Sequence, residues 1–173
     1  MPKPRKMLGS ADSPYIVSLM RLIETQSKIT LTNWALDYAE AHMLPIYEKY
    51  CPGDNRPHHA LTAARDWLAG KVKLPYVKNI ILNECHAAAR ELDNDPAAQA
   101  AARACGQAAA CIHTPTHALG LAFYGAAAIA YDRVGVAETP EVYDQIAASE
   151  CAKIEAALRA VAGENEPNPA KIN

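Results

Sequence analysis

Aromatic side chains are scarce in this chain: one phenylalanine, two tryptophans and eight tyrosines make up 6% of its 173 residues. A surface that stacks nucleic-acid bases needs such rings, and it also needs basic charge. Here 17 lysines and arginines face 19 acidic residues, for a formal net charge of -2 and an isoelectric point near 6.3. Nucleic acid is therefore not an expected partner. Glycine is sparse too, at eight. No P-loop, G-x-G-x-x-G, G-x-S-x-G or H-E-x-x-H pattern occurs, so no cofactor and no enzyme activity are expected. The longest apolar run, Ala118 to Tyr131, falls short of the roughly 18 residues that cross a bilayer, and Asp132-Arg133 closes it. No membrane partner is expected. The basic Met1-Pro2-Lys3-Pro4-Arg5-Lys6 start is not followed by an apolar segment with a small-residue cleavage site, which points to a cytoplasmic protein. Five cysteines, Cys51, Cys85, Cys105, Cys111 and Cys151, are odd in number and widely spaced, and read as reduced core residues.

What the chain has in excess is alanine, about one residue in five. Alanine is the best helix former and is depleted in strands, so the fold is expected to be all-α, a compact bundle of about six or seven helices. Prolines preceded by capping residues mark the helix starts. Ser13-Pro14 opens the first. Thr32 caps a second from Asn33 to about Tyr50, with Pro45 kinking or breaking it near Ala41 to Leu44. Pro57 starts a third that stops at Gly70, and Pro75 a fourth of about five turns carrying Val77, Ile80, Ile81, Cys85 and Ala88 inward. Asp95-Pro96 opens the fifth, where Gln99, Arg103 and Gln107 form the one polar stripe. The His113-Thr114-Pro115-Thr116-His117 junction leads into the apolar sixth, and Thr139-Pro140 caps a seventh that ends near Ala162. Small side chains let axes approach closely, so the fifth and sixth helices are expected to form a central Ala-rich pair. One helical domain is expected over 1–163, its first twelve residues flexible, followed by a loose tail over 164–173.

Polar residues concentrate in a few places. Asp54, Asn55, Arg56 and Pro57 read as a helix entrance with a local ion pair, or as a recognition loop in which Arg56 and Arg65 grip an acidic partner bidentately. His113 and His117 are four apart, but Pro115 lies between them and no carboxylate is near. A metal site would need His86 to join them. On the sixth helix His117, Gly120, Tyr124 and Tyr131 share one side, either as an internal hydrogen-bond network reaching Arg65, His86 or Arg90, or as a pocket floor.

The string Trp34-Ala35 through Tyr38-Ala39-Glu40 to Leu44-Pro45-Ile46-Tyr47-Glu48, then Asp54-Asn55-Arg56-Pro57 and Ala60 through Lys71, resembles the immunity proteins of bacterial polymorphic toxin systems. His86 through Arg90, Ala101 through Ala108, and His113 through Gly120 with Tyr124 resemble the later blocks of the same family. The resemblance covers about Thr32 to Tyr131. It implies a protein that binds and blocks a cognate toxin stoichiometrically, and it transfers no catalytic residue. The candidate binding residues are Asp54, Arg56, Arg65, His86, Arg90, His113, His117 and Tyr124, with no resident metal. A metal-dependent helical enzyme or small-molecule module built on His86, His113, His117 and Tyr124 is the alternative, and a homodimer stays open.

Overall fold

The computed structural model describes residues 3–172, and these form helices joined by short turns. The helices are α1 (Pro14–Ile23), α2 (Lys28–Tyr38), α3 (Leu44–Tyr50), α4 (Arg56–Leu68), α5 (Leu74–Ile80), α6 (His86–Arg90), α7 (Pro96–Ala110), α8 (His117–Val134) and α9 (Pro140–Val161). Two π-helical segments, Ala39–Met43 and Ile81–Cys85, weld α2 to α3 and α5 to α6, so each pair runs as one rod. Among the described residues no sheet forms, only an isolated bridge between Ser27 and Pro169. The all-α expectation holds.

So does the central pair. The most extensive packing in the molecule is α7 against α8. All of α7 except Pro96, Arg103 and Gln107 is buried, because neighbours approach it from α2, α3, α4, α6 and α8. A helix surrounded on most sides must present small groups, and its alanines let the surrounding axes come close. The larger Ile, Leu, Met, Trp and Tyr side chains fill the periphery of one contiguous core.

The second helix starts one turn earlier than Thr32. Ser27 is the cap, its hydroxyl accepting from the Thr30 amide at 3.3 Å, while Thr32 lies inside the helix and donates to the Lys28 carbonyl at 2.8 Å. Pro45 does not break the rod. The missing proline N–H is absorbed by the π turn just before it, where the Leu44 amide reaches back to Ala39. That turn swings Met43 onto α8, where a Cβ added at Gly125 would lie 3.2 Å from the Met43 sulfur. The second π turn was not expected. It aims Cys85 and His86 at α7, with the Cys85 thiol donating to the Ala102 carbonyl at 3.2 Å.

The two terminal segments make specific contacts. Leu8 is buried, and its amide donates to the Phe123 carbonyl at 3.2 Å, while the Tyr131 hydroxyl donates to the Arg5 carbonyl at 2.5 Å. At the other end the Ala170 amide donates to the Gln26 carbonyl at 2.8 Å. The Ser27 amide and the Thr30 hydroxyl each donate to Glu166, both at 3.0 Å. Glu166 thus completes the start of α2: the cap serine takes the third amide, and a carboxylate from the tail takes the cap's own amide. Residues 1, 2 and 173 of the stretches expected to be flexible or loose lie outside the described residues.

Candidate functional site

The polar residues singled out in the sequence fall in three places. At the entrance of α4, Asp54 takes the role expected of Asp54 or Asn55, accepting from the Arg56 amide at 3.1 Å, and Asn55 makes no side-chain cap. The Asp54 carboxylate also accepts from the Tyr47 hydroxyl at 2.6 Å and from the Arg56 guanidinium at 2.8 Å. Those donors hold its pKa down to about 2. Arg56 in turn forks onto Glu91, just past α6, with N–O distances of 3.0 and 2.7 Å. One turn further along α4, His59 meets Glu84 at 2.8 Å. A shallow groove lined by Asn55, Arg56, His58, His59, Thr62 and Glu84 runs along this seam. Arg56 therefore spends its fork within the chain.

Arg65 lies apart from that cluster. It crosses from α4 to the α2 rod and pairs with Asp37 at 2.9 Å and Glu40 at 2.7 Å. It does not join the histidines.

The third place lies where α6, α7 and α8 meet. Gly106 has no side chain because the His86 ring occupies that space: a Cβ there would sit 2.5 Å from the imidazole Cε1. Gly120 on α8 makes room in the same way for Gln107, whose Cδ would lie 2.6 Å from an added Cβ. The freed Gln107 oxygen meets His117 Nδ1 at 2.8 Å, and the His113 and His117 rings sit edge to face with centroids 5.0 Å apart. His113 Nδ1 is satisfied locally by the Thr114 hydroxyl at 2.9 Å. Two buried nitrogens here have no hydrogen-bond partner among the described residues, His86 Nδ1 and Arg103 Nε. Burial, with Arg103, Arg90 and His117 around it, pushes the His86 pKa down to about 4. Burial also lowers those of His113 and His117, so all three rings are neutral at pH 7.

The structure thus brings His86, Arg90, His113 and His117 into one neighbourhood, and links Asp54 and Arg56 to it through Glu91, the residue after Arg90. Tyr124 packs half-buried on the core rather than bonding to Arg65, His86 or Arg90, and Tyr131 turns to Arg5 instead. Arg103 and Gln107 belong to the cluster although they were not picked out as site residues. Their sequence signal was the polar stripe on an alanine helix, with Gly106 next to Gln107. Among the described residues no group of three or more His, Cys, Asp or Glu side chains is placed to hold a metal ion, and no helix is long and apolar enough to cross a membrane.

The chain is all-helical among its described residues, and its polar side chains meet at helix junctions and in surface ion pairs. Residues 21–157 match the family model described as Imm-5 like putative immunity protein, and the chain belongs to that family. No curated protein and no solved structure matches it.

Proposed function

We propose that the protein neutralises a cognate toxin of a bacterial polymorphic toxin system, in the cytoplasm, by stoichiometric binding rather than catalysis. The observation that carries the reading is the family match over residues 21–157. The geometry supports it in a subsidiary way. Arg90 is exposed, Arg103 retains unused donors, and His113 and His117 line a helix junction that is half open to solvent. Arginine is among the side chains that most often anchor protein interfaces. Asp54 and Arg56 frame this surface, their mutual ion pair fixing the loop, and Arg65 and Tyr124 brace the elements that carry it.

The test is co-expression of the chain with any toxin-like protein that neighbouring genes encode. Cell survival that rises with the ratio of the two proteins and saturates near one to one, together with a complex that survives gel filtration, is the expected outcome. Toxin killing unchanged by an excess of the folded chain would remove the reading.

A further inference from the structure

Between the amino-terminal strap and α7 runs a narrow crevice of about 20 Å³, lined by Lys3, Arg5, Lys6, Asp93, Gln99 and Arg103 together with small apolar groups. Four cations face one carboxylate, on a chain whose net charge is -2. Among the described residues none of the four is within ion-pair distance of a carboxylate. The carboxylate present is already engaged: Asp93 accepts from the Gln99 amide at 3.1 Å, and Gln99 also donates to the Ala89 carbonyl at 2.8 Å. Asp93 titrates below the ordinary range under the influence of Gln99, Lys3, Lys6 and Arg103, so it stays charged and still leaves the groove positive.

Arg103 is the unusual member. Its Nε is buried without an acceptor, and no ion pair to its guanidinium occurs among the described residues, so a cation that lines the groove is left uncompensated within the chain. The strap cations are held in register by the buried Leu8, the Leu8–Phe123 backbone bond and the Tyr131 hydroxyl on Arg5. No aromatic ring lines the groove, so it offers no stacking platform for bases.

We propose that this groove receives a carboxylate-bearing segment of a protein partner, with Arg103 as the anchor and Lys3, Arg5 and Lys6 as a charged rim. Identifying that partner as the toxin rests on the immunity reading. Arg103 lies inside the family match over residues 21–157, and the strap lies outside it.

The test titrates the full chain with an acetylated hexaglutamate peptide, followed by NMR at the Arg103 Nε–H and Gln99 amide signals, with inorganic phosphate and a deoxythymidine oligonucleotide as separate arms. Saturable shifts with the peptide are expected, weakening at least about tenfold in R103Q and falling with added salt. Should R103Q not fold, the doubly exchanged K3E/K6E chain, altered only on the exposed strap, is expected to weaken binding in the same sense. Absence of saturable shifts, peptide binding by R103Q equal to the parent, or tighter binding of phosphate or the oligonucleotide overturns the proposal. Toxin protection separates the two readings. Variants that lose the peptide yet protect fully overturn the groove and leave immunity standing, whereas a parent chain that binds the peptide but protects against no toxin does the reverse.

Discussion

At the scale of single residues, the junction of α6, α7 and α8 depends on glycines that exist to admit polar side chains. Gly106→Ala places a methyl against the His86 ring, so the gain in helix propensity of about 1 kcal/mol is set against an overpacking cost of about 1–3 kcal/mol, for a net loss of up to about 2 kcal/mol in chemical denaturation. Combining it with His86→Ala removes the clash, and the double variant is expected to be more stable than the two single losses would sum to. A strictly additive cycle would mean that the ring does not occupy that space. His86 also sets a pH dependence. Its folded pKa, about 4, is below the ordinary value of 6.5, so the unfolded chain binds a proton more readily over that interval. Its contribution is complete above about pH 6.5 and lost as pH falls toward 4. Asp54, lowered from 3.8 to about 2, extends the decline further into acid. Denaturation midpoints measured from pH 7 to 4 are expected to fall in the parent and to fall less in His86→Ala; parallel curves would contradict this.

At the scale of elements, the start of α2 shows why the sequence is only partly readable. Ser27→Ala is expected to cost about 1 kcal/mol, the loss of a helix cap. Glu166→Ala, or truncation after Gly163, is expected to lower the melting temperature, because the tail carboxylate serves the same helix end; an unchanged melting temperature would mark the tail as idle. The starts of α1, α4, α7 and α9 were legible, since proline with a local cap is a short-range signal. The true cap of α2 was not, because half of it arrives from Glu166, 139 residues away. The π turn before Pro45 was visible as an irregularity near Ala41 to Leu44, since proline withdraws a donor at a known place. The π turn over Ile81–Cys85 left no such mark, because it is stabilised by what α4 and α7 present to it. The candidate site divides in the same way. Asp54 and Arg56 could be paired from sequence because they are two residues apart. That Arg56 forks onto Glu91, that Arg65 turns to Asp37 and Glu40, and that Arg103 rather than Tyr124 joins His86 are consequences of packing between distant elements.

At the scale of the whole molecule, alanine content, helix order and family membership agree. A central pair, α7 and α8, is packed by small side chains; of the polar residues of α7, Arg103 toward the strap and Gln107 toward His117 stay partly exposed, while Gln99 is buried and bonded to Ala89 and Asp93. Such a scaffold is rigid where it is buried and specific at its edges, which suits an inhibitor that binds without rearrangement. If so, Arg103→Gln is expected to act mainly on the dissociation rate of a toxin complex, whereas exchange of Lys3 and Lys6 for glutamate acts mainly on the association rate and its salt dependence, as surface plasmon resonance would resolve. Equal effects on both rates from both variants would contradict the anchor and rim division. The most direct test of the account is a titration of the folded chain against a candidate cognate toxin, with toxin activity and complex mass followed together. Inhibition that ends at one chain per toxin, with a complex of the summed mass, is the predicted result; full inhibition at a small fraction of one equivalent, or an active toxin in the presence of excess chain, would contradict neutralisation by stoichiometric binding.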